Sequence, residues 1–426
     1  MPTAASLTDP DAFFADFADF VSASPSSYHA AAEVARRLEA AGFARLEERD
    51  GWPTGPGRRF VVRDGAVIAW VEPEGAEALT PFRLLGAHTD SPGFKLKPNP
   101  STAAAGLLQA GVEVYGGPLL NSWLDRELEL AGRLVTRDGV EHLARTGPLL
   151  RIPQLAIHLD REIGQGLVLD KQTHTQPVWG AGEPGDVLEV LAADAGVAAS
   201  DIVGYDVLTA PATPPARFGR DAVFVASGRM DNLTSVYAGL IALLDAPTDA
   251  AHASLLAAFD HEELGSESRS GASGPFLEDV LARIAAGRGA DEEARRRAFA
   301  ESWLVSSDAG HAVHPNYPEK HDPVNRPVLG GGPLLKLNAN QRYASDAHGA
   351  ALWREMCERA GVAVQAFVSN NRIPCGSTIG PLAATRLGIR TVDVGAPLLS
   401  MHSARELAHL DDLRGLAAAV AGFFAG

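Results

Sequence analysis

Five apolar runs of strand length in this chain each lead into a side chain that can ligate a metal or carry a proton, and no other feature limits the fold as tightly. Residues 82–87 run into His88, Thr89 and Asp90, residues 254–259 into Asp260, His261, Glu262 and Glu263, and residues 303–306 into Ser307 and Asp308. Residues 221–226 lead through Ser227, Gly228, Arg229 and Met230 to Asp231, and residues 389–394 are followed after a short loop by Met401 and His402. Open α/β sheets collect their chemistry at strand carboxyl ends. The pattern therefore predicts a sheet whose ends bring distant segments into one site.

Neighbouring residues on an extended chain point to opposite sides, so Glu263 can hold a metal while Glu262 takes a proton from an activated water. A lone Glu-Glu pair is ordinarily solvated surface; here four other strand ends give it company. Asp231 opens a predicted helix at a strand end, which makes it the candidate bridge between two ions, with His88, Glu263, Asp308 and His402 as terminal ligands. Asp90 lies two residues past His88, placed to orient its imidazole. Asp231, Glu263 and Asp308 would repel one another if gathered without cations, whereas two dications leave the cluster at about +1, able to stabilise an oxyanion. Glu262 remains free as general base.

Composition narrows the chemistry further. Only two cysteines occur, Cys357 and Cys375, too few for a disulfide framework and too far apart for a thiolate metal knuckle. Any metal must be held by His and carboxylate, a donor set suited to Zn²⁺, Co²⁺ or Mn²⁺. The formal charge of -16 argues against nucleic acid and anionic membranes as partners. No apolar stretch reaches the roughly 18 residues of a membrane span. The N-terminal stretch 1–10 has no basic segment followed by an apolar one, so a cytoplasmic location is expected.

With 426 residues the chain exceeds what one core usually supports. Phe13, Phe14, Phe17, Phe20 and Val21 recur at helical spacing and predict a packing face, and a second helix is expected over 27–41, stopped by Gly42. Between 95 and 220 the texture changes to short alternating runs such as 107–115 and 128–135, punctuated by Asn, Gly and Pro. Strand-helix alternation resumes at 221, with a long helix predicted over 231–246 and an exposed, ion-paired one over 285–300. Pro and Gly clusters at 52–57 and 330–333 read as loops. The expected architecture is an α/β catalytic domain from 1–94 and 221–426, interrupted by an inserted β-rich domain at 95–220.

Several segments carry a family likeness. His88-Thr-Asp90-Ser-Pro-Gly, Gly228-Arg-Met-Asp-Asn232, His261-Glu-Glu-Leu-Gly-Ser266, the stretch from Ser307 to Asn316, the stretch from Leu335 to Tyr343, and Ser400-Met-His-Ser-Ala-Arg-Glu406 resemble the signature segments of the M18 metallopeptidases, the aspartyl aminopeptidases. Residues 121–128 and 151–161 resemble that family too. The resemblance spans nearly the whole chain, in matching order. It implies a mixed central sheet flanked by helices, of the zinc-exopeptidase type, with the insertion serving as a dimerisation domain. It implies two zinc ions per subunit, one held by His88, Asp231 and Asp308, the other by Asp231, Glu263 and His402. It also implies a bridging hydroxide activated by Glu262, Asp90 beside the catalytic centre, and a cis peptide after Asp231.

Removal of an N-terminal Asp or Glu is the activity the resemblance implies, with substrate contacts at His311, Lys336 and Tyr343. Lys336 is expected to neutralise the substrate side chain, and His158 to reach a neighbouring subunit's site within a homododecamer built from dimers. Taken without the family, Lys336 reads as an exposed lysine, Tyr343 as half-buried and His158 as a strand histidine. His29, His174, His314, His321, His348 and His409 read as structural or surface residues. The alternatives are a related co-catalytic zinc hydrolase (neutral aminopeptidase, carboxypeptidase or deacetylase) and a non-catalytic scaffold, against which the intact Glu262 argues.

Overall fold

A computed structural model describes residues 7–426; residues 1–6, part of the stretch read above for a targeting signal, lie outside them. A nine-stranded mixed sheet forms the centre. Across it the order is Ala44–Arg45, Gly57–Arg63, Ala66–Glu72, Ala253–Phe259, Phe82–His88, Trp303–Ser307, Arg390–Gly395, Leu334–Leu337 and Gln365–Val368. The four strands Ala253–Phe259, Phe82–His88, Trp303–Ser307 and Arg390–Gly395 are mutually parallel, with Phe259 beside His88 and Ser307 beside Val394. Their carboxyl ends therefore finish level, at one edge.

These strands are apolar almost throughout because both sheet faces are covered. Leu85, Val305 and Val392 face a core shared with the helices Pro10–Ala23, Ser27–Ala40, Met230–Leu244, Ala347–Arg359 and Leu410–Ala425. Leu84, Leu255 and Leu304 face the opposite core, with Phe276–Gly287 and Ile379–Leu387. The expected phenylalanine stripe is packing: Phe13, Phe17 and Phe20 surround Tyr237 with ring centroids 5.5, 5.4 and 5.5 Å away, while Phe14 is only partly buried. Helix Met230–Leu244 is buried along its whole length. It lies so close to the sheet that a Cβ on Gly239 would sit 2.2 Å from Leu85 and 2.7 Å from Leu256, which only glycine avoids.

The β-rich segment forms its own seven-stranded sheet with a separate core built on Phe94, Leu128, Leu130 and Val207. Strand Ile202–Pro211 pairs with both Gly93–Ala104 and Glu127–Thr136, which closes the sheet into a barrel. The strand over 107–115 is observed as expected, and that over 128–135 is one residue longer at each end. A helix, Val187–Ala195, was not anticipated, although Asp186 caps it and Gly196 ends it at φ 69°.

Two expectations need correction. The run from 221 does not join the central sheet: residues 220–222 turn, with Asp221 at φ 61°, and the strand Phe224–Ser227 pairs instead with Ala216–Phe218 and Glu406–His409 in a five-stranded sheet. The exposed helix expected over 285–300 is two helices, Phe276–Gly287 and Glu292–Glu301, separated where Gly289 takes φ 76° and Asp291 caps the second. Its ion pairs are present, Glu292 with Arg295 and Arg296. Among the described residues no helix is long and apolar enough to cross a membrane.

Candidate dinuclear metal centre

The level strand ends deliver the predicted residues to one place. His88 closes its strand, Glu262 and Glu263 sit in a short turn entered through His261 at φ 62°, and Asp308 follows Trp303–Ser307. Gly395 lies against Asp308 so closely that a Cβ there would be 1.7 Å from the Asp308 carbonyl oxygen. Asp231 arrives from the five-stranded sheet, in non-helical backbone at the start of Met230–Leu244, and the Asp231–Asn232 peptide is cis. His402 sits in a turn at φ 66°.

The Asp231 carboxylate is divided between the two imidazoles. Its Oδ1 lies 3.4 Å from His88 Nε2, which is 3.6 Å from Asp308 Oδ1; its Oδ2 lies 3.3 Å from His402 Nε2, which is 3.3 Å from Glu263 Oε1. Two three-residue groups thus share one carboxylate. Glu262 Oε2 stands at 3.9 Å from His88 Nε2, outside both groups.

Backbone contacts fix each imidazole. His88 Nδ1 is 3.0 Å from the Asp90 carbonyl and His402 Nδ1 is 3.0 Å from the Gly117 carbonyl, so each Nδ1–H donates and turns Nε2 toward the carboxylates. The Asp90 carboxylate accepts from the backbone N–H of Glu262 (3.0 Å) and Glu263 (3.2 Å) and from the Tyr115 hydroxyl (2.9 Å). It is also 3.4 Å from His88 Nδ1, consistent with the expected orienting role and extending it to the acidic turn. Glu406 was quoted within a motif without a role; its two oxygens accept from the N–H of Asp231 (3.1 Å) and of His402 (2.9 Å).

Between the protein's own groups, burial is the largest cause pushing Glu262 up to about 8, with Asp308 adding to it, and Glu263 up to about 7, with Asp231 adding. Burial opposes charge on His402, yet Asp231 and Glu263 hold its proton up to about 11. His88 is raised in the same way by Asp231, Asp308 and Asp90 against its burial. The carboxylates demand cations. Asp231 Oδ1 and Glu263 Oε1 are also buried without a hydrogen-bond donor, an arrangement that costs free energy unless a ligand satisfies it. His88, Asp231 and Glu263 offer ligand atoms all within 4.8 Å of one another, a trio that draws on both groups, as a cluster serving two ions would. Nitrogen and oxygen donors without thiolate fit a catalytic zinc.

Asp231, Glu262, Glu263, Asp308 and His402 line a cleft of about 590 Å³ together with His311, Lys336 and Tyr343. Lys336 is no surface lysine: it is 2% exposed, donates to the Ala309 carbonyl (2.7 Å) and lies 3.7 Å from Asp308 Oδ2. Tyr343 is buried beneath it, with the ammonium 5.4 Å from the ring centroid. Burial, then Lys336, lowers His311 below the ordinary histidine range. His158 is not brought to this cleft. It stands in an exposed loop rather than a strand, because residues 153–162 pair with nothing in the barrel. Arg342 and Thr378 also line the cleft and were missed by the sequence reading; Arg342 lay inside a quoted motif.

Residues 20–424 match the family described as aminopeptidase I zinc metalloprotease (M18). The chain is 53% identical over 416 residues to a probable M18 family aminopeptidase 2 of Streptomyces coelicolor, with 96% of each chain covered. It superposes with a TM-score of 0.93 on a chain of a cryo-EM structure of the Ape4 and Nbr1 complex, at 35% identity, covering 96% of this chain and 84% of that one. Against the S. cerevisiae mApe1 dodecamer the TM-score is 0.84 at 28% identity, covering 96% and 95%. With a model spanning nearly its whole length and a curated relative identical at half its positions, the chain belongs to the M18 family of zinc aminopeptidases.

Proposed function

We propose that this chain removes Asp or Glu from the N-terminus of peptides with two Zn²⁺ per subunit, Co²⁺ or Mn²⁺ being able to substitute. The observation that carries the reading is the division of the Asp231 carboxylate, one oxygen toward His88 and the other toward His402. His88, Asp231 and Asp308 hold one ion, and Asp231, Glu263 and His402 the other. When bound, the ions acidify water and polarise the scissile carbonyl. Glu262 Oε2 takes a proton from the attacking water and passes it to the leaving amine nitrogen, a task that needs the reach given by the turn Asp90 holds. Asp308 faces the free α-ammonium of the substrate, which confines cleavage to the first residue.

His311 and Tyr343 line the substrate side, and Lys336 adds positive charge to the cleft floor. In a chain of formal charge -16, such local cations are what an acidic substrate needs. We assign 1–94 and 221–426 to the catalytic domain and 95–220 to an inserted dimerisation domain. Ile157 and Leu159, either side of His158, are 63% and 75% exposed, which supports a subunit contact there and His158 reaching a neighbouring site. The dodecameric S. cerevisiae relative supports assembly of such dimers into a homododecamer. Two unpaired cysteines support a cytoplasmic location.

A neutral aminopeptidase is the competing reading, favoured by the burial of Lys336 and its bond to Ala309. Hydrolysis of matched Asp-, Glu-, Ala- and Leu-amides and of N-acetyl-Asp-amide, with and without chelator, decides between them. Fastest cleavage of the Asp and Glu amides, none of the acetylated one and loss of activity on chelation are expected. A rate order led by Leu or Ala would refute acid selectivity, and hydrolysis indifferent to chelator would refute the metal centre.

A further inference from the structure

The two groups of candidate ligands are held by different means. His88 closes a parallel strand of the central sheet and Asp308 directly follows another, so hydrogen bonding within the sheet sets their direction. Asp231 and His402 have no such frame. Asp231 lies in non-helical backbone at the start of Met230–Leu244, two residues after Arg229 at φ 61°, and His402 lies in a turn at φ 66°, two residues after Ser400 at φ 57°. Left-handed backbone at residues other than glycine persists only where its surroundings hold it.

One residue holds both. Glu406 is 2% exposed and makes no ion pair among the described residues, yet both of its oxygens are engaged: Oε2 accepts from the Asp231 N–H (3.1 Å) and Oε1 from the His402 N–H (2.9 Å). It opens the strand Glu406–His409, whose register sets it opposite Ser227, the last strand residue before the segment that leads to Asp231. The two segments are pressed together there: a Cβ on Gly228 would lie 2.9 Å from the Ala404 carbonyl oxygen. Asp90 is used in the same way, taking the N–H groups of Glu262 and Glu263. A carboxylate suits this task, because two N–H groups need two acceptor oxygens and charge strengthens both bonds. Buried beside Asp231 without a cation, the same charge is unfavourable. A divalent ion held by Asp231, Glu263 and His402 offsets that penalty, which ties the contribution of Glu406 to the loading of that ion.

We propose that Glu406 is a positioning residue for the ion at Asp231, Glu263 and His402, an assignment that rests on the two-ion reading above. It ties together the segments that supply Asp231 and His402, and its charge favours the loaded state over the empty one. With both oxygens on backbone N–H groups, it is a support and not a ligand. The test compares the full-length chain with its Glu406→Gln and Glu406→Asp variants. Glu129→Gln is the reference, since Glu129 is as deeply buried but pairs with Arg145 in the barrel. Stepwise zinc affinities are measured by competition with a chromophoric chelator, and Tm and steady-state kinetics are recorded at limiting and saturating zinc.

Glutamine has one acceptor oxygen and sets an amide N–H against the other backbone N–H. One of the two zinc ions should therefore bind roughly 10- to 100-fold less tightly while the other changes by less than about threefold. In a His402→Ala background, where that second group has already lost a ligand, adding Glu406→Gln should alter the remaining zinc affinity by less than about threefold. The fall in kcat should be large at limiting zinc and mostly recovered at saturating zinc, with KM little altered. Aspartate keeps the charge but is one methylene shorter; it should weaken binding toward the lower end of the same range, and it serves for the same comparison should glutamine prevent folding. The gain in Tm on adding zinc should shrink in Glu406→Gln, whereas Glu129→Gln should lower Tm equally with and without zinc and leave both affinities unchanged. Equal weakening of both ions in Glu406→Gln, or a Tm lowered equally with and without zinc, would overturn the assignment. Fewer than two zinc ions on the unaltered chain would sink the two-ion reading and the assignment together. Two ions there, with both affinities in the Glu406 variants within about threefold of the unaltered chain, would remove only the assignment.

Discussion

The two larger sheets meet at the cleft with unequal parts. Strand ends of the nine-stranded sheet deliver His88, Glu263 and Asp308, whereas the seven-stranded barrel delivers none of the candidate ligands and grips them from behind. Tyr115 donates to Asp90, the Gly117 carbonyl accepts from His402, the Leu119 N–H donates to the His402 carbonyl (2.9 Å), and the Ser122 hydroxyl accepts from the Ala404 N–H (3.0 Å). One sheet decides which candidate ligand atoms converge; the other holds them in place. The barrel is thereby part of the site's internal support.

Substitutions on the ligand side should break the site outright. Asp231→Ala removes the one residue that faces both imidazoles, so zinc content by elemental analysis should fall from two ions to less than one, and activity by more than roughly 10³-fold. A variant that keeps both ions and its turnover would remove Asp231 from the centre. Glu262→Gln should keep the zinc and lose roughly 10²- to 10⁴-fold in kcat, since Glu262 stands outside both ligand groups. Loss of zinc in that variant would make Glu262 a ligand and not the base.

On the supporting side the effect should be smaller. Tyr115→Phe removes one hydrogen bond to the buried Asp90 carboxylate but leaves the Glu262 and Glu263 N–H groups in place. Zinc affinity, measured by competition with a chromophoric chelator, should weaken about 10-fold with the fold intact. Unchanged affinity and unchanged kcat would reduce the barrel to a bystander, and the comparison would collapse.

The ligand side was legible in the sequence because each residue follows an apolar run that a buried parallel strand requires. His88, Glu263 and Asp308 follow such runs directly, while the choice of ligands, and of His402 beyond the short strand Pro397–Leu399, rested on the likeness to the M18 segments. Asp231 was identified while its route was misread: four strand residues, Phe224–Ser227, are too few for periodicity to say which sheet they join. The supporting side was not legible. Tyr115 with Asp90 and Gly117 with His402 are contacts between residues 25 and 285 positions apart, formed by tertiary packing that no local pattern encodes. Residue type alone puts Lys336 on the surface, because a lysine's burial depends on partners, here the Ala309 carbonyl and Asp308, that come from the connection after another strand. Helix Val187–Ala195 had its signals, Asp186 and Gly196, but they lay inside a segment read as β-rich.

Acid stability offers the mildest probe of whether the two regions act as one body. His29 faces Arg145 and Asp194 of the barrel, while His252 lies in the catalytic region with its Nε2–H donating to the Phe424 carbonyl at 3.0 Å. Burial is the main cause holding both at about 4 against an ordinary 6.5. The unfolded chain therefore binds these protons more tightly than the folded one. Their stabilising contribution is complete above pH 6.5 and is lost as pH falls toward 4, roughly 2–3 kcal/mol for each. His252→Gln keeps a donor for Phe424 and abolishes the titration, so the pH slope of unfolding free energy between 6.5 and 4 should flatten by up to one proton. His29→Gln should flatten the same transition if barrel and catalytic region unfold together. If it alters a separate, earlier acid transition, the barrel unfolds on its own, and its grip on His402 and Asp90 is lost before the ligand-bearing sheet gives way.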